Sequence, residues 1–148
     1  MKTTILVTGT NGLLGQKIVY KLLKRNDVHL IASSKGENRL LEKNGYEYFP
    51  LDISKFDEVK IAVEKFQPDV IINTAAMTNV DACETEKEAC KAMNIDAVEN
   101  LAKLSAEFGA RLIHISTDFI FDGTHPMYTE DETPNPLSFY GWSKRSEE

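Results

Sequence analysis

Tyr140 and Lys144 stand four residues apart in Tyr140-Gly141-Trp142-Ser143-Lys144, so in a helix they share one face, one turn from each other. A phenol whose ordinary pKa is near about 10 is a poor acid or base at neutral pH, but an adjacent ammonium favours phenolate and moves it toward the working range. Such a pair could deliver a proton. An exposed aromatic-lysine pair on a surface helix would carry the same spacing, so the two residues alone leave both readings open. A second pattern lies at the other end of the chain. In Thr8-Gly9-Thr10-Asn11-Gly12-Leu13-Leu14-Gly15 the glycines recur every third residue. They suit a tight turn, close approach of a diphosphate to the backbone, and close packing of a helix on a strand. A plain turn is the alternative. The position after a strand-like run and before an amphipathic helix favours a dinucleotide held on free N–H groups at the helix start.

A dinucleotide site that prefers NAD carries an acid at the end of the second strand, where it binds the ribose hydroxyls. Here that corner reads Ser33-Ser34-Lys35-Gly36-Glu37-Asn38-Arg39. Hydroxyls and a cation stand where the acid would be, so Ser33, Lys35 and Arg39 favour a 2'-phosphate and NADP, with NAD the alternative. Asp52 could accept from an adenine amino group while Ile53 packs on the ring; equally, Asp52 could serve the helix entry beside Ser54.

The elements that must position these residues alternate. Ile5 to Thr8 reads as a strand and Gln16 to Lys24 as a helix. Val28 to Ala32 is a second strand, and Tyr46 to Phe49, ended by Pro50, a third. Ser54 to Asp57 has the form of a capping box opening a helix that ends at Pro68, and Asp69 to Asn73 is apolar enough to be covered on both faces. Thr85 and Glu88 form a second capping box for a helix running to Gly109, with a break near Asn94, and Arg111 to Ser116 is the fifth strand. This order predicts an α/β fold: a Rossmann-like, doubly wound parallel sheet with right-handed crossovers and helices on both faces. Asp122 to Leu137 is a long loop, and the helix begun at Phe139 or Tyr140 stops at Glu148, which reads as a cut chain.

Composition fits one globular domain: 148 residues, 42% of them hydrophobic and 27% charged. The net charge of -6 lacks the basic footprint of a nucleic-acid binder, and no run approaches the roughly 18 apolar residues of a membrane span. The chain opens on a strand rather than a signal peptide, so it reads as cytoplasmic. Cys83 and Cys90 have neither redox-pair nor zinc-knuckle spacing and read as buried thiols, and no metal site is expected. His114 alternates with apolar neighbours and reads as a structural side chain; His29 and His125 read as surface or loop residues.

Taken together, the Gly9, Gly12 and Gly15 loop, Asn73-Thr74-Ala75-Ala76, Asn94, Thr117 and the Tyr140, Lys144 pair resemble the extended short-chain dehydrogenase/reductases. Ala76-Met77-Thr78-Asn79-Val80-Asp81 followed by Glu84, with Ser116-Thr117-Asp118-Phe119-Ile120-Phe121-Asp122-Gly123, are similar to the dTDP-4-dehydrorhamnose reductase family. The resemblance implies hydride transfer from NAD(P)H to the C4 ketone of a nucleotide-linked deoxysugar. Tyr140 would donate the proton, Lys144 would lower its pKa and bind ribose, and Thr117 would hydrogen-bond the carbonyl oxygen. Gly9 to Gly15, including Thr10 and Asn11, would form the loop around the diphosphate, with Gly12, Leu13 and Leu14 cradling it. Asp52 and Ile53 would meet the adenine. Ala75, Ala76, Met77 and Thr78 would line the far ribose and the nicotinamide side, and Asn94 in the following helix would also bind the cofactor. Ile115 would lie beneath the nicotinamide, and Thr78, Thr117 and Asp118 would face the sugar.

The related 4,6-dehydratases place an acid after the Thr-Asp pair, where this sequence has Phe119; Glu147 departs from the small residue that precedes the glutamate matching Glu148. Family members are about twice this length, so the resemblance implies an NAD(P)-binding domain over residues 1–148 without the C-terminal substrate domain, its strands in the order 3-2-1-4-5 and its site at the switch point between strands one and four. Such a fragment would be inactive alone, and the full-length protein would be open to homodimer formation. The runner-up is a non-catalytic, dinucleotide-binding regulatory subunit of methionine adenosyltransferase, which shares the fold and motifs. A third reading is a different reductase or epimerase of the extended family.

Overall fold

The computed structural model describes residues 2–145, and Glu147 and Glu148, singled out above, lie outside the described residues. Five strands, β1 (Thr3–Thr8), β2 (Val28–Ser34), β3 (Glu47–Pro50), β4 (Val70–Asn73) and β5 (Arg111–His114), form one sheet in the order β3-β2-β1-β4-β5, every neighbouring pair parallel. This is the expected Rossmann-like arrangement. The chain leaves β1 for β2 on one side and returns to β4 on the other, so the crevice of such a fold opens above the β1–β4 junction.

Side chains alternate across a strand, and β1 shows why both faces are covered. Leu6 packs with Ile31 and Ile71 against α2 (Phe56–Phe66) and α5 (Ala97–Phe108), whereas Ile5 and Val7 pack with Leu30 and Ala32 against α1 (Leu13–Leu22). Leu6 and Val7 are both fully buried. A third cluster joins Cys83, Cys90 and Tyr140, and ties α3 (Val80–Thr85) and α4 (Lys87–Lys91) to α6 (Phe139–Arg145). Among the described residues no helix is long and apolar enough to cross a membrane, and no group of three or more His, Cys, Asp or Glu side chains is placed to hold a metal.

Both expected capping boxes are absent. Helix α2 begins after Lys55 with no side-chain cap, because the Ser54 hydroxyl donates to Asp52 Oδ1 at 2.7 Å instead. Glu58 Oε2 reaches back to the Asp52 N–H at 2.9 Å. Thr85 turns its hydroxyl toward the carbonyls of Asp81 and Ala82, at 3.4 and 3.2 Å, so it closes α3 rather than opening the next helix. The break near Asn94 takes the form of a π-helical turn, Ala92–Asp96, in which Asn94 is fully buried.

Candidate active site

The glycine loop folds as its spacing requires. Gly9 has φ +74, and a Cβ there would sit 2.6 Å from the Ala75 nitrogen; at Gly15 it would strike the Gly9 carbonyl and lie 2.8 Å from Thr10 Cα. Only glycine lets α1 come this close to β1 and the β4 loop. The first N–H groups of a helix have no acceptor within it, and no side chain caps α1 at Gly12. An anionic group can satisfy them.

Two clefts meet above the β1–β4 junction. The first, about 450 Å³, is lined by Gly9, Asn11 and Gly12 of the loop, by Ser34, Lys35 and Arg39 after β2, by Leu51, Asp52 and Ile53 after β3, and by Thr74, Ala75, Ala76 and Met93. Asn11 holds this corner together. Its N–H donates to Ser34 Oγ at 2.9 Å, its amide nitrogen to the Glu37 carbonyl at 2.9 Å, and its Oδ1 accepts from the Arg39 N–H at 2.9 Å. Asp52 is 6% exposed and uses both oxygens, Oδ1 for Ser54 and Oδ2 for the Lys35 ammonium at 2.9 Å. Burial pushes its carboxyl up, but the hydrogen bonds from Ser54 and Lys35 outweigh that and hold it below the ordinary carboxylate range.

The second cleft, about 320 Å³, shares Gly12, Thr74, Ala75 and Ala76 with the first and continues past Leu13, Leu14, Gly15 and Thr78 to Ile115, Ser116, Tyr140 and Lys144. Lys144 is 1% exposed, and a buried ammonium needs acceptors. It has the Ile115 carbonyl and His114 Nε2, each at 2.7 Å. Tyr140 is buried edge-on to Phe119, with ring centroids 5.9 Å apart. Helix α6 is held by the Phe139 N–H donating to Glu84 Oε1 at 2.6 Å and by Asn94 Nδ2 donating to Ser143 Oγ at 3.0 Å. A Cβ on Gly141 would collide with the Phe119 carbonyl, so α6 rests directly on the turn Asp118–Ile120.

Six sequence-predicted site residues lie outside both clefts. Thr10 and Ser33 are fully buried beneath them, Thr10 donating to the Ser33 carbonyl at 3.1 Å, while Ser33 Oγ has no hydrogen-bond partner. Side-chain alternation turns Ser33 inward and presents Ser34 to the cleft, which corrects the serine assignment. Met77 and Asn94 support the wall: Asn94 accepts from the Met77 N–H at 2.8 Å and donates to the Met77 carbonyl at 3.0 Å. Thr117 caps the turn Asp118–Ile120, accepting from the Phe119 N–H at 3.3 Å, so Ser116 is the residue that reaches the cleft. Asp118 faces a separate hollow beside Phe119 and Tyr128. Sequence reasoning missed Leu51, Met93, His114 and Ser116 as lining residues, and placed Asn73 and Thr74 in a motif without assigning them a role.

Comparison with known proteins gives one family. The sequence matches, over residues 1–148, the family described as RmlD substrate binding domain. Methionine adenosyltransferase 2 subunit beta of Xenopus tropicalis is 42% identical over 139 residues, which are 94% of this chain and 40% of that protein. A hypothetical dTDP-4-dehydrorhamnose reductase from Sulfolobus tokodaii superposes with a TM-score of 0.85 at 37% identity, covering 99% of this chain and 50% of the other. The dTDP-4-dehydrorhamnose reductase of Bacillus anthracis, solved in complex with NADP, gives a TM-score of 0.76 at 32% identity, covering 99% of this chain and 48% of that one. The chain thus spans half or less of the length of these relatives.

Proposed function

The chain belongs to the RmlD substrate binding domain family, and on that premise we propose that it forms the cofactor-binding part of an NAD(P)H-dependent reductase of the 4-keto group of a nucleotide-linked deoxysugar. One observation carries the reading: the two clefts adjoin through Gly12, Thr74, Ala75 and Ala76, and together run from the basic corner at Lys35 and Arg39, past the uncapped start of α1, to a buried Lys144 and Tyr140. The path has the order of parts a dinucleotide has, adenosine end, diphosphate, nicotinamide end. The relative from Bacillus anthracis, in complex with NADP, supports the same choice. We assign residues 1–148 to the dinucleotide, and most of the nucleotide-sugar pocket to the part of the relatives' length that this chain does not span.

When bound, the dinucleotide supplies the hydride. The residues do the rest. Leu13 and Leu14 would offer backbone N–H groups to the diphosphate, and Ile53, which lines the first cleft, would pack on the adenine. Asp52 keeps Lys35 at the ribose corner, where Lys35 and Arg39 can meet a 2'-phosphate, and its remaining lone pairs can accept from the adenine amino group. As the carbonyl carbon receives the hydride, the oxygen becomes an alkoxide and takes the Tyr140 proton. The Lys144 ammonium then stands by the phenolate left behind. Thr78 and Ser116 face the reacting end of the cleft; Thr117, whose hydroxyl caps the turn Asp118–Ile120, would have to swing out of that cap to meet the carbonyl oxygen, and Asp118 would have to leave its own hollow to meet the sugar. In the full-length protein, Tyr140→Phe should lower reduction of a dTDP-4-keto-deoxysugar by about a hundredfold or more and spare NADPH binding. Undiminished turnover would sink the assignment.

The 42% identity to a methionine adenosyltransferase subunit favours a second reading, a dinucleotide-binding subunit without turnover. Such a subunit would bind NADPH without consuming it in the presence of any nucleotide sugar, and would bind a partner enzyme. The buried Lys144 beside Tyr140 favours the reductase, since a pure binding subunit has no chemical need for a proton donor there.

A further inference from the structure

Thr8, Asn73 and His114 are register partners, Thr8 with Asn73 and Asn73 with His114, so they form one rung at the ends of β1, β4 and β5. Their side chains are joined along that rung. Thr8 Oγ1 donates to Asn73 Oδ1 at 2.5 Å, which also accepts from the Ala75 N–H at 3.2 Å, and Asn73 Nδ2 lies 2.9 Å from His114 Nδ1. On the far side of the ring, Nε2 meets Lys144 Nζ at 2.7 Å. An ammonium only donates, so Nε2 is the acceptor in that contact and the ring proton sits on Nδ1, where the Asn73 amide meets it as a close packing contact and not as a hydrogen-bond donor. Thr8 and Asn73 are fully buried and Lys144 nearly so, while the half-buried His114 between them lines the second cleft, so the contacts run from the sheet interior to the edge of the candidate site.

A lysine side chain has four rotatable bonds and no intrinsic reason to place its ammonium at one spot. The acceptors that aim this one include the Ile115 carbonyl, fixed by the backbone just after β5, and His114 Nε2, carried at the end of β5 on a ring whose other nitrogen packs against Asn73. We propose that His114 is a positioning residue for Lys144, acting through Nε2, so that the end of the sheet sets where the ammonium stands relative to Tyr140 and the ribose. The inference rests on the reading of Tyr140 and Lys144 as the reactive pair. The competing role, a ring that merely completes the rung, needs only Nδ1.

The two nitrogens can be tested apart. The amide of Asn ends two bonds beyond Cβ, as Nδ1 does, and the amide of Gln ends three bonds beyond, as Nε2 does. In the full-length protein, His114→Asn and His114→Gln would be compared by NADPH fluorescence titration, by kcat and KM for a dTDP-4-keto-deoxysugar, and by thermal unfolding. His114→Asn should weaken NADPH binding and lower kcat by about tenfold to a hundredfold while keeping its melting temperature, and His114→Gln should recover most of both. The inference is overturned if His114→Asn matches the wild type, if His114→Gln is impaired as much as His114→Asn, or if the two variants differ only in melting temperature. A wild type that neither binds nor consumes dinucleotide would instead defeat the proposed function itself.

Discussion

Lys35 is 77% exposed by side chain yet tied to the buried Asp52, so its ammonium is held at the mouth of the corner instead of sweeping through solvent. Charge reversal there gives a clean test of cofactor preference. Lys35→Glu should weaken NADPH binding by about tenfold while leaving NADH affinity nearly unchanged, because only NADPH brings a 2'-phosphate to that spot. Parallel titrations would read this directly, and equal losses for both cofactors would place the phosphate elsewhere. The cationic character of this corner was legible in the sequence, but which serine faced it was not. A strand boundary misplaced by two residues, at Ala32 instead of Ser34, hides the alternation that separates Ser33 from Ser34. His114 is the sharper case. Its alternation in β5 was visible, but its partners Asn73 and Lys144 lie 41 and 30 residues away, and only strand register brings them together. The two cysteines did read correctly as buried thiols, and burial together with the neighbouring Cys90 pushes the Cys83 thiol up to about 12, far from reactive thiolate.

At the scale of the element, the loop from Asp122 to Leu137 is ordered by one carboxylate. Asp122 Oδ1 accepts from the Thr124 N–H at 3.0 Å, the Thr124 hydroxyl at 2.8 Å and the Tyr128 hydroxyl at 2.6 Å, and Oδ2 accepts from Asn135 Nδ2 at 2.9 Å. These bonds, led by those from Tyr128 and Asn135, hold the carboxyl well below the ordinary range. A carboxyl whose pKa is lower folded than unfolded contributes stability that is complete above its unfolded pKa, about 4, and is lost as pH falls toward the folded value. The Tyr128 ring resonances should therefore report an intact Asp122 network at pH 7, and that network should be lost only in acid stronger than about pH 4. In Asp122→Asn they should report a loosened loop already at pH 7; identical spectra would show that the stacking of Phe121 on Tyr128, centroids 4.4 Å apart, orders the loop without the carboxylate. The sequence signalled this loop by its prolines, but not what ties it down. It failed at both capping boxes for a related reason. Ser54 and Thr85 satisfy the local pattern, yet nearer acceptors, the Asp52 carboxylate and the carbonyls of Asp81 and Ala82, take their hydroxyls.

For the whole molecule, the parallel sheet with helices on both faces follows from alternation of apolar strands and amphipathic helices, whereas its order β3-β2-β1-β4-β5 was legible only through the family motifs, since alternation permits other doubly wound orders. The cleft that results is built by sequence-distant segments, yet both its ends, the corner at Lys35 and the pair at Tyr140, belong to this one chain. The reductase from Bacillus anthracis is about twice as long, so binding and turnover can come apart. Remote binding energy is what holds a reacting carbon in place, and a nucleotide sugar that meets only part of its pocket cannot be positioned. Titrated with NADPH and with NADH, the 148-residue chain should therefore bind saturably, with NADPH the tighter, and should show no oxidation of NADPH when a dTDP-4-keto-deoxysugar is added. Saturable binding would show that the Gly9 to Gly15 loop and the Lys144 network form a working site by themselves. If the chain melts cooperatively but binds neither dinucleotide, the glycine loop needs contacts from the remaining length of its relatives, and the independence of the cofactor site is refuted.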